Sequence, residues 1–308
     1  MTIVTDLKKL ISEKEKKGFE KNIQPATVTF LFADSLELKG EAEIRPRGEF
    51  RREECYMPPV MINFKTGEAG ALKKLGRLKF VWPCDNTIYY EQLVLKEYLV
   101  YRMYNLLTEK SFRVRLVKVN YTDISGKIKP HKTYGFFIED VDDMAKRNNC
   151  TEVDTEKFFT EQTNRQQATL IALFNYMIGN TDQAVSVYHN IKLIRNRGDS
   201  LSLPFIVPYD FDCNGLVDPD YAVPPPELEL ISVRQRLYRG FSRTMEELQQ
   251  TLSLLHNSKT GFDSLITGCK PLLKAYKKEM INYVDDFFTI IKEEDNVREI
   301  FIKKARKE

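Results

Sequence analysis

The spacing of apolar residues changes along the chain near residue 140. From residue 26 to about residue 140, short segments alternate β-branched or aromatic residues with polar ones, as strands with one buried face do. After residue 140, apolar residues recur at the spacing of helices that bury one face. Strands followed by helices, rather than strands alternating with helices, predict an α+β protein.

The predicted elements divide the chain into two parts. Strands are predicted at residues 27–32, 36–45, 60–64, 77–82, 113–120 and 131–139, with one long helix at 89–108 among them. The second part has predicted helices at residues 164–177, 243–256, 271–291 and 294–305, and short strands at 190–194 and 204–209. We therefore expect a strand-rich N-terminal lobe with one long helix, residues 1–140, and a mainly helical C-terminal lobe, residues 141–308.

Charge and apolar content exclude several classes of protein. The 47 Lys and Arg residues nearly balance 44 Asp and Glu residues, and the two signs are mixed along the chain, which argues against a nucleic-acid partner. No apolar run approaches the roughly 18 residues that a membrane-spanning helix needs, so no transmembrane segment is expected. The start, MTIVTDLKKL, lacks the apolar core of a signal peptide, which leaves the cellular location open.

The five cysteines show no CxxC spacing, which argues against a zinc site. Cys55 and Cys84 each follow or end a strand-like segment. They could form a disulfide in an oxidising compartment or remain buried free thiols, and both alternatives stay open.

Polar residues suited to phosphoryl transfer are concentrated between Gly179 and Gly215. A predicted helix ends at Gly179, Asp182 follows in a polar loop, and Asn190 precedes the first short strand. Asp210-Phe211-Asp212 ends the second strand. Metal-assisted phosphoryl transfer uses one carboxylate to orient the attacking hydroxyl, and an amide oxygen and a second carboxylate to hold Mg²⁺. Each residue alone is a common turn or cap residue, but their order favours a functional site.

The last part of this segment also resembles the start of a calcium-binding loop. Asp210, Asp212, Asn214 and Gly215 match the pattern D-x-D-x-N-G. The twelfth position, however, is Tyr221 instead of a bidentate Glu, and the segment follows a predicted strand rather than a helix. Calcium therefore remains an alternative to magnesium.

A lysine and a glutamate in the first part could hold phosphates. Lys79 alternates with apolar neighbours on a predicted strand, so its side chain points to one defined face. Glu97 lies within the apolar stripe of the long predicted helix, and a buried carboxylate needs a cationic partner. Lys79 is a candidate, as are Arg113 and Arg115; alternatively, Glu97 reaches solvent at the edge of the stripe.

An arginine-rich segment occupies the place of a glycine-rich phosphate loop, because no G-x-G-x-x-G occurs in the sequence. In RPRGEFRRE, Gly48 lies among four arginines, and we predict that Arg47 and Gly48 contact phosphate. A solvated turn is the alternative.

Three further features carry weaker predictions. Residues 134–140, YGFFIED, are expected to connect the lobes and to offer groups near Glu139 to an adenine ring. His189 is interpreted as a hydrogen-bonded loop residue. Arg234, Arg236 and Arg239 either contact an acidic acceptor or only dock their own loop.

Taken together, these motifs resemble the spore-coat-protein-H (CotH) kinase family, an atypical branch of the protein-kinase-like superfamily. The resemblance is carried by R-x-R-G at residues 45–48, N-x-D at residues 180–182 followed by Asn190, and D-x-D at residues 210–212. It covers roughly residues 40 to 220. The chain departs from protein kinases in the spacing between Asp182 and Asn190, which is eight residues instead of five.

The resemblance implies a two-lobed protein-kinase-like fold and an ATP-dependent enzyme. It assigns Asp182 as catalytic base, Asn190 and Asp210 as ligands of Mg²⁺ (or Mn²⁺), and Lys79 to the α-phosphate. Asp212 is predicted as a further metal ligand, and Glu97 as a further residue of the catalytic site. The implied substrate is a protein with a Ser or Thr hydroxyl, its identity and the oligomeric state being left open. Family members are often exported, which would suit a Cys55–Cys84 pair; a catalytically inactive pseudokinase or an exported binding module is the alternative.

Overall fold

The computed structural model describes residues 1–14, 22–32, 36–65, 72–154 and 158–307. The chain forms two compact units, one made of Met1–Leu95 and Val114–Asp140, the other of Lys96–Arg113 and Val141–Glu308. Residues 96–113, which we had placed in the first lobe, therefore belong to the second unit.

Within its described residues, the first unit contains seven strands, two short α-helices and the start of a longer helix. Its strands are β1 (Thr2–Thr5), β2 (Gln24–Leu31), β3 (Glu37–Pro46), β4 (Val60–Phe64), β5 (Arg77–Val81), β6 (Val114–Asp123) and β7 (His131–Ile138). Its helices are α1 (Leu7–Ser12), α2 (Phe50–Glu54) and the first turns of α3 (Ile88–Asn105). The six predicted strands are confirmed within three residues at each end.

The seven strands form a closed barrel in the order β1-β2-β3-β4-β5-β7-β6. All neighbouring strands are antiparallel except β1 and β6, which are parallel. In β1, Thr2 pairs with Thr29 of β2 on one side and with Asn120 of β6 on the other. The four-residue strand thus joins the two ends of the sheet, and closure removes its free edges.

The predicted two-lobed protein-kinase-like fold is wrong, because the first unit is this closed mixed barrel and the second combines helices with a small separate sheet. The error has a physical origin in β1. Its four residues are too few for an alternating pattern to be recognised, so the first predicted strand was residues 27–32, which is β2, and no barrel closure was predicted. Periodicity identifies strands, but it does not say which strand edges pair.

The barrel interior is filled by alternate residues of neighbouring strands. Val60 pairs with Phe80, which pairs with Phe137, and all three belong to the buried core of this unit. Lys79 alternates with Phe80 and therefore points to the outer face of the barrel. Arg45, Met61 and Lys79 lie in one row across β3, β4 and β5 on that outer face.

A disulfide joins Cys55 and Cys84, whose Cα atoms are 4.6 Å apart. It links the residue after α2 to the segment after β5. The backbone N–H of Met57 also donates to the Cys84 carbonyl at 2.8 Å. The sequence left open whether Cys55 and Cys84 form a disulfide or remain free thiols, and in the structure they form the disulfide.

The second unit is mainly helical. Its helices are the rest of α3, α4 (Val141–Arg147), α5 (Arg165–Ile178), α6 (Met245–Gly268), α7 (Lys274–Lys292) and α8 (Glu294–Arg298). Three short strands, β8 (Cys150–Glu152), β9 (Ile191–Asn196) and β10 (Phe205–Pro208), form an antiparallel sheet in the order β10-β9-β8. In the part of the chain that the structure describes, no helix combines the length and the apolar character needed to cross a bilayer.

Candidate functional site

The end of α5 positions the loop that contains Asp182. Asn164 caps the start of this helix, its side chain accepting the N–H of Gln167 at 3.0 Å. Gly179 ends the helix with φ of 68°, a left-handed conformation that glycine adopts without a steric penalty. A Cβ atom here would also collide with the Tyr283 hydroxyl and lie 3.2 Å from the Cα of Gly215. Only glycine therefore allows this turn.

The loop after β10 is bound directly to the end of α5. The Gly215 N–H donates to the Gly179 carbonyl at 3.1 Å, and the Leu216 N–H donates to the Ile178 carbonyl at 3.0 Å. These bonds bring the two loops that carry Asp182 and Asp210 side by side.

Asn214 is used to shape its own loop. Its side chain is fully buried, its Nδ2 donates to the Phe211 carbonyl at 2.6 Å, and its Oδ1 accepts the N–H groups of Leu216 and Val217 at 2.9 and 3.0 Å. A calcium loop needs this oxygen as a ligand. The arrangement therefore argues against the calcium interpretation, as does the strand β10 that precedes the loop.

Asp182 is held by two neighbours in the same loop. Asn190 Nδ2 donates to Asp182 Oδ2 at 2.9 Å, and His189 Nε2 lies 2.8 Å from Asp182 Oδ1. Burial raises the pKa of this carboxyl; the His189 contact opposes that shift, and the charge of Asp210 adds to it. A carboxylate whose pKa is raised by desolvation is suited to accept a proton near neutral pH.

Asn190 and Asp210 are brought together by the pairing of β9 with β10. The Tyr209 N–H donates to the Asn190 carbonyl at 3.0 Å, and the Asp210 N–H donates to Tyr101 Oη at 2.8 Å. Both residues are left-handed, with φ of 55° at Asn190 and 60° at Asp210. Asn and Asp adopt this conformation more readily than other non-glycine residues, because their short polar side chains can form local hydrogen bonds.

The Cys213 thiol lies within the electrostatic influence of three carboxylates. Burial raises the pKa of its thiol, and the charges of Asp212, Asp182 and Asp210 raise it further. Asp212 is itself engaged in the loop, since Oδ1 accepts the Cys213 N–H at 2.9 Å and Oδ2 accepts the Tyr221 hydroxyl at 3.2 Å. The predicted residues Asp182, Asn190, Asp210 and Asp212 thus lie in one site.

The donor set suits a magnesium ion that arrives with a phosphate ligand. Among the described residues, no group of three His, Cys, Asp or Glu side chains is arranged to hold a metal by itself. Magnesium commonly takes only one or two protein carboxylates and completes its shell with waters and substrate phosphates. Asp210, with the Asn190 amide oxygen or Asp212, would supply that share.

Two residues of α3 that the sequence analysis did not single out support this site. Lys96 is 1% exposed, and its Nζ donates to the Val217 carbonyl at 2.7 Å at the end of the Asp210 loop. Burial lowers its pKa, an effect that Glu279 opposes. Tyr101 anchors Asp210, as described above. Both residues lie on or beside the apolar stripe of α3. The sequence signal that could have identified Lys96 is a lysine placed next to that apolar stripe.

Glu97 is 1% exposed, so the alternative that it reaches solvent is wrong. It lies in the second unit, whereas Lys79 lies in the first. Their predicted pairing stays a prediction.

Two of the four arginines in the arginine-rich segment, Arg51 and Arg52, hold the backbone of neighbouring segments in place. Arg51 donates to the Trp82 carbonyl at 3.0 Å, and Arg52 donates to the carbonyls of Gly48 and Lys14 at 3.0 and 2.8 Å. The phosphate contacts predicted for Arg47 and Gly48, just before α2, stay predictions.

The segment expected to bind adenine is mostly a strand. Residues 136–138 of β7 pair with β5 on one side and β6 on the other, so their backbone groups serve the barrel. Glu139 follows the end of this strand, and its predicted contact with a nucleotide is also untested.

The arginines after the site mainly dock their loop. Arg234 pairs with Asp218 and Glu279 at 3.0 and 2.7 Å. Arg236 lies 3.9 Å from the centre of the Tyr283 ring. These contacts favour docking over the acceptor contact for Arg234 and Arg236.

Comparisons with protein-family models and with curated proteins return no match to this chain. The likeness to the CotH kinase family therefore rests on the quoted motifs alone. What the chain does has to be argued from the chemistry of the site just described.

Proposed function

We propose that the second unit binds Mg²⁺·ATP and transfers the γ-phosphate to a hydroxyl group, with Asp182 as the general base. The observation that carries the proposal is the half-buried Asp182 carboxylate, which accepts a hydrogen bond from Asn190 and whose pKa the charge of Asp210 helps to raise. Two acidic groups that interact in a half-buried place repel each other, and this cost suggests a function that needs both.

Each side chain has a role in this proposal. Asp182 orients the acceptor hydroxyl and takes its proton as the oxygen attacks. Asp210, with Asn190 or Asp212, would hold the magnesium ion, which neutralises charge on the phosphates when it is bound. Lys96 and Tyr101 keep the Asp210 loop in place. Mn²⁺ could substitute for Mg²⁺ at the same oxygen ligands.

The motif likeness to the CotH kinase family supports a protein Ser or Thr hydroxyl as the acceptor. This choice depends on the likeness and not on the barrel of the first unit, since a fold does not determine a reaction. The Cys55–Cys84 disulfide supports a protein that works in an oxidising, exported setting.

A nucleotide-binding module without turnover is the second candidate. One observation favours it: both Asp182 carboxylate oxygens already have partners, His189 at Oδ1 and Asn190 at Oδ2. An acceptor hydroxyl would have to displace or share one of these contacts.

A thermal-shift titration with ATP tests nucleotide and metal binding. The wild type should gain stability with ATP plus Mg²⁺, and the gain should disappear with EDTA. Asp210→Asn should lose the magnesium-dependent gain while keeping its fold, because Asn tolerates the left-handed backbone at this position. Asp143→Asn, an exposed acid in α4 of the same unit, is the matched control and should respond like the wild type. A wild type without any ATP response, or an Asp210→Asn variant with the full response, would contradict the proposal.

A further inference from the structure

Four charged side chains of the second unit form a chain of alternating sign that ends at the loop of residues 210–218. Glu279 Oε1, on α7, lies 3.5 Å from Lys96 Nζ of α3 and 2.7 Å from Arg234 Nη1. Arg234 Nη1 lies 3.0 Å from Asp218 Oδ2. Glu279 therefore joins two cations that are far apart in the sequence, and one of them carries the pairing on to Asp218.

Both ends of this chain of charges hold the end of the loop. Lys96 Nζ donates to the Val217 carbonyl at 2.7 Å, and Arg234 pairs with the carboxylate of the next residue, Asp218. Asp218 has a left-handed backbone, with φ of 52°, and its N–H donates to the Asn214 carbonyl at 2.8 Å. The last turn of the loop is thus held by two cations, one at its backbone and one at its side chain.

This last turn is hydrogen-bonded to the part of the loop that carries the candidate metal ligands. Asn214 Oδ1 accepts the Val217 N–H at 3.0 Å, and the Asn214 N–H donates to the Asp212 carbonyl at 3.1 Å. Asp210 lies two residues before Asp212. A shift of Val217 would therefore be transmitted through Asn214 to both aspartates.

Glu279 balances the charge of a buried lysine. Lys96 is 1% exposed, and an ammonium ion taken out of water needs a carboxylate nearby. Burial lowers the pKa of Lys96, and Glu279 opposes this shift more strongly than Asp218 does. Without the charge of Glu279, Lys96 would lose its proton or turn towards water. Either change weakens the charge-assisted hydrogen bond to the Val217 carbonyl.

We propose that Glu279 is a positioning residue of the candidate metal site, which acts through Lys96 and Arg234 to hold residues 210–218 in the conformation that binds Mg²⁺. Its carboxylate is engaged by the two cations, so its effect on Asp210 is indirect. The apparent affinity of a site falls with the fraction of molecules in which the site is correctly formed, so a looser loop binds the metal more weakly. The identity of the metal rests on the proposed function, whereas the ordering of the loop by Glu279 does not.

Hydrogen exchange of the backbone amides, followed by mass spectrometry, measures the order of the loop in the full chain without a ligand. Glu279→Gln keeps the size of the side chain and removes its charge, so peptides covering residues 210–218 should exchange about tenfold faster. Peptides of α6 should exchange as in the wild type, which separates loosening of the loop from unfolding of the unit. Glu246→Gln, the same change at an exposed position, should leave the exchange of the loop as it is. Unchanged exchange of residues 210–218 in Glu279→Gln would overturn the proposal.

The Mg²⁺ concentration that gives half of the thermal shift with saturating ATP measures the effect on the site. It should rise about tenfold in Glu279→Gln and also in Lys96→Met, which serves if the first variant folds poorly. A role in stability alone would lower the melting temperature of the ligand-free protein and leave this concentration unchanged. Because both side chains act on the same turn, the double variant should show less than the product of the two single effects. An unchanged Mg²⁺ concentration in both single variants would contradict the positioning role.

The two measurements also distinguish this proposal from the proposed function. A wild type without any response to Mg²⁺·ATP would contradict the proposed function, and the exchange of residues 210–218 would then decide alone whether Glu279 holds the loop. A wild type that responds, together with a Glu279→Gln variant that matches it in both measurements, would overturn only the role of Glu279.

Discussion

The Asn190 side-chain amide donates to two oxygens of Asp182, the backbone carbonyl and the carboxylate Oδ2, at 2.9 Å each. The pair closes the loop between α5 and β9 on itself and fixes the orientation of the carboxylate. Because the amide nitrogen is used in this way, the Asn190 side-chain oxygen is the atom that remains for a metal or a phosphate-bound water. Structural and proposed chemical roles are thus combined in one residue.

Replacing that amide by a carboxylate should destabilise the second unit. In Asn190→Asp, a second negative charge would face Asp182 where a hydrogen bond stood, at a cost of about 1–3 kcal/mol near neutral pH. Urea unfolding followed by far-UV circular dichroism measures the loss. Asn149→Asp is the matched control, since Asn149 is exposed and has a similar φ of 54°. Equal losses in the two variants would show that the Asp182 contact contributes nothing.

Gly179→Ala should lower the free energy of unfolding far more than Gly198→Ala does. Both glycines are left-handed, with φ of 68° and 78°, so both substitutions carry a conformational cost of about 1–2 kcal/mol. At Gly179 the new methyl also meets Tyr283 and Gly215, which adds roughly 1–3 kcal/mol of overpacking. At Gly198 no atom of the described residues lies within 4 Å of the new Cβ.

Chemical denaturation of both glycine variants gives this difference directly. A free energy of unfolding that falls equally in the two would contradict the close approach of the Asp182 and Asp210 loops at Gly179.

Asp123 should make the barrel sensitive to acid. It is buried, which raises the pKa of its carboxyl, but hydrogen bonds from Ser125 and from the backbone N–H groups of Ile128, Lys8 and Lys127 outweigh that effect and lower the pKa to about 2. The lowered pKa means that the carboxylate stabilises the folded state above the pKa of the unfolded chain. That contribution is lost as the pH falls from about 4 towards 2.

Asp123→Asn tests this sign. The variant should be less stable than the wild type by about 1–3 kcal/mol at pH 7, and the difference should shrink as the pH approaches 2. Fluorescence of Trp82, the only tryptophan and fully buried in the first unit, reports the unfolding. A difference independent of pH would mean that the carboxylate charge is not what stabilises the turn.

The disulfide should add about 3–4 kcal/mol to the stability of the first unit, since it closes a loop with a sequence separation of 29 residues. Reductant should lower the unfolding midpoint seen by Trp82 fluorescence, and a Cys55→Ser, Cys84→Ser double variant should not respond to it. Alkylation of the denatured, unreduced protein should label only Cys150, Cys213 and Cys269. Labelling of all five cysteines without reductant would contradict the pairing.

Most secondary structure could be predicted because alternation and helical spacing are local properties. Residues 60–64 were predicted with the observed bounds, and the helix predicted at residues 164–177 matches α5 within one residue at each end. The barrel could not be predicted, because closure depends on both edges of β1 finding partners more than 20 residues away along the chain. A strand's pattern describes its two faces and not its edges.

The grouping of Asp182, Asn190 and Asp210 could be anticipated because a loop, a strand pair and a second loop follow one another in the chain. The supports contributed by Lys96 and Tyr101 could not, since they come from α3, about a hundred residues earlier. The ion pairs of Glu279 with Lys96 and Arg234 were equally hidden, because an ion pair is a property of the folded neighbourhood and not of a residue type.

The central claim is that Asp182 acts as the base of a phosphoryl transfer, and labelled ATP tests it most directly. With Mg²⁺, transfer of the γ-phosphate from ATP to the protein itself, to an added Ser- and Thr-rich protein or to water is measured for the wild type and for Asp182→Asn. We expect the variant to lose about 10²–10⁴-fold in rate while its affinity for Mg²⁺·ATP, measured by calorimetry, stays within a few-fold. A variant that transfers phosphate as fast as the wild type, or a wild type that neither binds Mg²⁺·ATP nor transfers phosphate, would contradict the account.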